Sequence, residues 1–301
     1  MFQINPANSS NSIGNIVLTI AIVVLAYATI GQLPLMIAVQ SHSDVLEGIS
    51  GPILLTYSKV LGKNLLLFYL LVPFLAAFIA LLLCVKFIHK QQIRSLFTSR
   101  KRFDFKRFFY SFCVWGLVLG VYFILTIFNS NTLTFQFPDL SFITLFLIAL
   151  LLIPIQTTFE EVFFRTYLFA VFKTKIKKSW IVVVVTGLIF GLLHGSNPEV
   201  QLIGYSVLAY YIVTGFFLGI LRFFDEGLEL SMGYHAVNNL FAAIVVSNEW
   251  QAFQTDALFL DHAKPSFGWD AILTICIAQP VLLIYFAKKY NWFNWKEKIS
   301  Q

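Results

Sequence analysis

Apolar runs of membrane-crossing length recur along the whole chain, and no other feature constrains its fold more. A helix needs about 20 apolar residues to cross the ~30 Å hydrocarbon core of a bilayer. Eight stretches meet that requirement: 14–39, 64–88, 108–128, 141–172, 179–196, 200–223, 229–247 and 270–287. In lipid every backbone N–H and C=O has to be paired inside the segment, so such runs predict helices rather than open strands. The expected fold class is therefore all-α: a polytopic, multi-pass integral membrane protein of about eight transmembrane helices with an intramembrane polar site. Only 12% of the residues are charged, against about a quarter in a soluble domain. Three regions follow: 1–140 with three spans, 141–250 with four, and 251–301 with an outer loop, the last span and a tail.

Smaller features fit the same frame. The opening tract MFQINPANSSNSIGN is polar but uncharged and lacks the basic start of a signal peptide, so the first run is expected to remain as a helix. Segment 43–62 reads as a mixed loop with a short interfacial helix. Cys84, Cys113 and Cys276 are isolated in apolar stretches, without the spacing of a metal knuckle or disulfide framework, and read as buried packing residues. The tract RSLFTSRKRFDFKRF at 94–108 is basic and aromatic. Beside a membrane this predicts a loop lying against anionic lipid, not a nucleic-acid site.

Lysines and arginines set the expected orientation. With eight spans, seventeen of them fall on the side that carries both termini and the connections after the second, fourth and sixth spans. Three (Lys59, Lys63 and Lys264) fall on the other, and Arg165 lies inside a span. The asymmetry predicts cytoplasmic termini, in the plasma membrane if the source is bacterial.

Against this apolar background, strong polar groups gather in the second half of the chain. The fourth span holds Glu160, Glu161 and Arg165, the fifth ends near His194, and the seventh carries His235, Asn238 and Asn239. Ionisable residues in a membrane helix cost at least about 2.5 kcal/mol each, so they are expected to face an interior cavity and to have partners. At about 1.5 Å per residue, Glu160 lies roughly 20 Å from Lys173, His194 roughly 24 Å from Lys178, and His235 and Asn239 roughly 15 and 21 Å from Asp225. Helices of alternating direction thus bring these groups to a similar depth.

Spacing suggests roles. Glu161 and Arg165 are four apart and can form an ion pair on one helix face. Glu160 is rotated about 100° away and left without that cation, where a general base could stand. His235 and Asn239, also four apart, offer donors for a developing oxyanion, and His194 could share a water with Glu160. Asn238 reads as a packing residue. Gly187, Gly191 and Gly195 form a ridge that lets a neighbouring helix approach closely, and Pro154 is placed to kink the fourth span. A membrane transporter or proton-coupled carrier would bury similar residues, but the chain has no inverted repeat of broken helices.

These residues also form a familiar series. Glu160-Glu161-Val162-Phe163-Phe164-Arg165 matches EExxxR, Phe190-Gly191-Leu192-Leu193-His194 matches FxxxH, and His235-Ala236-Val237-Asn238-Asn239 matches HxxxN. Three motifs in this order, each in an apolar span, resemble the CAAX protease and bacteriocin-processing (Abi) family of intramembrane proteases, which includes the Ras-converting CAAX endopeptidase. The resemblance covers roughly residues 141–247 and identifies the middle region as the catalytic core. It implies peptide-bond hydrolysis in the membrane, with Glu160 and His194 activating water and His235 and Asn239 stabilising the oxyanion. Glu161, Arg165 and Phe190 would support the site. The implied substrate is a membrane-associated or lipidated protein or peptide; an inactive member serving as an immunity or scaffold protein is the alternative within the family. No cofactor is favoured, because HExxH is absent and Asn is a poor zinc ligand. If the chain were a zinc metalloprotease, Glu160, His194 and His235 would be its ligands.

Overall fold

The computed structural model describes residues 1–4, 8–46, 53–293 and 295–300. Helices dominate it. Seven are long and apolar enough to cross a membrane: Ile13–Gln40 (α1), Lys63–Phe87 (α2), Phe105–Asn129 (α3), Leu140–Lys173 (α4), Ser179–Ser196 (α5), Ser206–Asp225 (α6) and Trp269–Lys289, here called α8. Between the last two lies Glu229–Ile244 (α7), of 16 residues.

The predicted seventh span thus exists as a helix but is shorter than expected, about 24 Å at 1.5 Å per residue. It is also the most enclosed: every residue from Glu229 to Val237 is buried. It lies among α3, α4 and α6, so protein covers it. Its two ends meet different surroundings. At one face Glu229 meets Arg100 at 3.0 Å and Arg100 reaches Asp225 at 3.2 Å. The Phe2 amide donates to Ser95 there, and Lys298 pairs with Glu226 at 2.8 Å, so both ends of the chain share this face. At the opposite face Val246–Ser247 (β2) follows α7 and pairs in parallel with Phe259–Asp261 (β3), which pairs antiparallel with Leu133–Phe135 (β1).

Other departures have local causes. The sixth span begins at Ser206 rather than 200, because a short helix, Pro198–Ile203, ends at Gly204 with φ +101, a conformation that L side chains rarely adopt. Segment 43–62 contains two short helices, Ser43–Leu46 and Ile53–Leu61; residues 47–52 of that stretch lie outside the described residues. Cys84 is buried, but Cys113 and Cys276 are exposed. An apolar helix in a membrane protein can turn such a residue to lipid, so an apolar setting in sequence did not mean a packed one. The basic loop is likewise not left wholly to lipid: Arg100 and Arg107 are tied to Asp225, and the Leu228 amide donates to Phe97 O at 2.8 Å.

Among the described residues, three helices carry π-helical segments. Those at Ala26–Ile30 and Thr274–Ala278 lie just before Pro34 and Pro280, which lack the N–H that a regular ladder needs. The third, Glu161–Leu168 in α4, has no following proline and begins at the motif itself. Insertions of this kind are frequent at functional sites.

The glycine ridge works at two of its three positions. A Cβ on Gly187 would lie 3.0 Å from the Phe216 amide nitrogen, and one on Gly191 would lie 2.7 Å from Ile212 Cα. Gly215 on α6 answers Gly187 in the same way, at 2.7 Å from its carbonyl oxygen, whereas Gly195 has nothing within 4 Å. Close packing of α5 on α6 fixes where His194 emerges.

Candidate active site

Glu160 ends the regular α-helical part of α4, and Glu161 begins its π-helical part. Both are buried, yet only Glu160 lines a cavity of about 430 Å³ between the helices. His194, His235, Asn238 and Asn239 line the same cavity. Glu161 and Arg165 stand behind its wall, and both are essentially inaccessible.

The wall is built from linked contacts. His235 Nδ1 lies 3.0 Å from Glu161 Oε1, and its Nε2 faces Glu160 Oε2 at 3.5 Å. The second Glu161 oxygen is 3.7 Å from Arg165 Nε. No acceptor within hydrogen-bond distance serves the Arg165 guanidinium among the described residues. Instead it lies over the Phe190 ring at 4.1 Å, a cation–π contact that strengthens where water is excluded. Phe190 also meets His194 at 4.7 Å between ring centroids and His235 at 6.0 Å. One ring therefore touches the cation and both histidines.

Hydrogen bonds orient the polar groups. His194 Nδ1 lies 2.8 Å from Phe190 O. A carbonyl only accepts, so Nδ1 carries the proton and Nε2 of the neutral ring is left as an acceptor. Glu160 Oε1 accepts from Gln156 Nε2 at 2.7 Å, and Gln156 Oε1 accepts from Asn239 Nδ2 at 3.2 Å. Asn238, read as packing, does accept from Trp115 Nε1 at 3.2 Å on α3, but it also lines the cavity. Among the described residues no group of three or more His, Cys, Asp or Glu is placed to hold an ion. Both His235 nitrogens are turned to carboxylates.

Residues 139–241, the stretch that holds Gln156, Glu160, Glu161, Arg165, Phe190, His194, His235 and Asn239, match the profile of type II CAAX prenyl endopeptidase Rce1-like proteins. Over that stretch the chain is similar to the CAAX protease family. It is also similar to the uncharacterized protein YyaK of Bacillus subtilis (strain 168), at 28% identity over 73% of this chain and 72% of that one. No solved structure matches.

The CAAX protease motifs leave part of the wall unnamed. Gln156 precedes Glu160 by one helical turn, so its i, i+4 spacing was a readable signal. Tyr211 stacks on His194 at 4.2 Å between ring centroids. Its hydroxyl donates to Glu199, which also accepts from Asn197. Nothing in the sequence linked Tyr211 to His194, since α6 meets α5 only through the tertiary packing of their glycines.

Proposed function

We propose that this protein is an intramembrane endopeptidase of the CAAX protease family in which Glu160 activates a water held in the polar cavity. The observation that carries the reading is the position of Glu160. It lines the cavity with no lysine or arginine beside it and with His235 Nε2 facing it at 3.5 Å, while its neighbour Glu161 is committed to Arg165 and His235. In this reaction Glu160 takes a proton from water, with His194 Nε2 accepting the water's second hydrogen bond. The resulting hydroxide attacks the scissile carbonyl carbon. Asn239 and His235 donate to the oxyanion that forms, and Glu160 returns its proton to the leaving amine as the C–N bond breaks. His235 can donate from Nε2 while Nδ1 serves Glu161 only as an imidazolium, and the two flanking carboxylates compensate that charge.

The reaction is proposed to run without a metal, since Glu160, His194 and His235 are not grouped around one point as the ligands of an ion would be. Chelation of purified protein should leave cleavage intact; loss of activity restored by added zinc would overturn this part.

The substrate is a membrane-associated or lipidated peptide or protein. Both termini and the basic face are assigned to the cytoplasm, so the cavity, about 20 Å from Lys173 along α4, lies towards the opposite leaflet. That assignment favours substrates drawn from the outer side. The test is comparative peptidomics of cells carrying the native chain or Glu160→Gln, which keeps volume and hydrogen bonding. Cleavage should fall by at least about 10²-fold, the scale of a lost general base. Unchanged product levels with normally folded Glu160→Gln would overturn the proposal.

A further inference from the structure

Glu199 lines the same cavity and is used by neither the family motifs nor the proposed reaction. It sits in the first turn of the short helix Pro198–Ile203, just past the end of α5, with only 6% of its surface exposed. One of its oxygens, Oε1, accepts from Asn197 Nδ2 at 3.1 Å and from the Tyr211 hydroxyl. The other, Oε2, has no donor among the described residues.

A structural role accounts for only half of this. Clamping the 194–199 turn onto α6 needs one oxygen to receive Asn197 and Tyr211, and a glutamine carbonyl would do the same. The negative charge is therefore surplus to the clamp. It is also uncompensated: no lysine or arginine lines the cavity, and no cation lies within ion-pair distance of Glu199 among the described residues. The cavity thus holds two carboxylates, Glu160 facing His235 and Glu199 facing no cation among the described residues, and a buried unpaired charge is costly.

Building on the endopeptidase reading, we propose that Glu199 is a specificity residue that receives a cationic group of the substrate. The ligand chemistry is an ammonium or guanidinium, from a lysine or arginine side chain or from a peptide amino terminus. Because the Tyr211 ring bridges Glu199 and His194, a cation held there fixes the peptide close to the water-activating group. A neutral or acidic residue at that point would leave the carboxylate unpaired or repelled, which gives discrimination as well as attraction.

The test uses the full chain in lipid nanodiscs, with Glu160→Gln in place so that bound peptide is not consumed. Fluorescently labelled peptides identical except for Lys, Arg or norleucine at one scanned position, each with an acetylated or a free amino terminus, are titrated by anisotropy. The cationic peptides should bind at least about tenfold more tightly, the scale of a desolvated charge pair. Adding Glu199→Gln should collapse the difference to within about twofold. Equal binding of all peptides before that change, or a preference that survives it, overturns the proposal. The acetylated and free forms show whether a side chain or the terminus supplies the charge. If Glu199→Gln does not accumulate, carbodiimide coupling of the Lys peptide to the chain that retains Glu199 should form an amide at Glu199. Coupling confined to other carboxylates overturns the proposal. Hydrolysis is scored separately, by incubating the same peptides with the chain that retains Glu160. A cationic preference without cleavage would count against the endopeptidase reading and leave the Glu199 site standing.

Discussion

His235 Nδ1 lies 3.0 Å from Glu161 Oε1, joining α7 to α4 at the point where α4 becomes π-helical. The second Glu161 oxygen faces Arg165, so one buried carboxylate binds a histidine on another helix and a cation on its own. This contact makes the protein's interior and its candidate chemistry depend on the same atoms.

Removing either Glu161 or Arg165 strands the other charge in a dry interior, at roughly 3–5 kcal/mol. Glu161→Ala and Arg165→Ala should therefore lower the yield of folded protein in detergent as well as cleavage. Size-exclusion profiles and thermal unfolding check this. Normal folding with only a rate defect would assign these residues to the reaction itself.

Gln156 holds Glu160 and Asn239 at once, so Gln156→Leu should misplace both. The expected result is a fall in kcat of up to about 10²-fold, the penalty of roughly 1 Å of misplacement, with KM little changed. Combined with Glu160→Gln, it should add almost nothing further, because residues acting as one unit are not additive. Additive losses in steady-state kinetics would mean that Gln156 acts elsewhere.

Gly191→Val places a side chain where Ile212 Cα already stands. Overpacking of this kind costs about 1–3 kcal/mol and should lower the melting temperature in detergent. Gly195→Ala meets open space and should stay within about 0.5 kcal/mol of the parent. Equal effects at the two positions would contradict the α5–α6 packing described above.

Orientation can be read by labelling single cysteines in a chain lacking Cys84, Cys113 and Cys276. A cysteine replacing exposed Lys101 should react only after permeabilisation, and one replacing exposed Phe137 should react in intact cells. The reverse pattern would put the cavity towards the cytoplasm.

His89 gives a pH test outside the membrane spans. It is buried against Asn11 at 3.0 Å, and against Thr19 and Tyr167 at 3.1 Å. Burial pushes its imidazole below the ordinary value. The folded state thus holds His89 neutral, while the unfolded chain takes up a proton near pH 6.5. The stability this contributes is present above about pH 6.5 and is lost as pH falls from there through the lowered folded value. Thermal unfolding between about pH 8 and pH 5 should show the decline, flattened in His89→Gln. An unchanged slope in that variant would assign the decline to other groups.

Some of this protein is written in the sequence because it depends on local or one-dimensional quantities. Run length and hydropathy determine membrane helices, and i, i+4 spacing puts Glu161 beside Arg165 and Gln156 beside Glu160. Counting residues along alternating helices gives Glu160, His194, His235 and Asn239 a common depth. Depth alone does not give azimuth. Which carboxylate lines the cavity and which is sealed behind it depends on how α4 is rotated against α7, and its π-helical segment has no proline to announce it. The shortness and enclosure of α7 were hidden too, because hydropathy is the same for a side chain facing lipid and one facing another helix. Tyr211, Asn197 and Glu199 meet at His194 only because α5 and α6 close on Gly187, Gly191 and Gly215. Contacts between segments distant in the chain have no period in the sequence, and packing alone selects them.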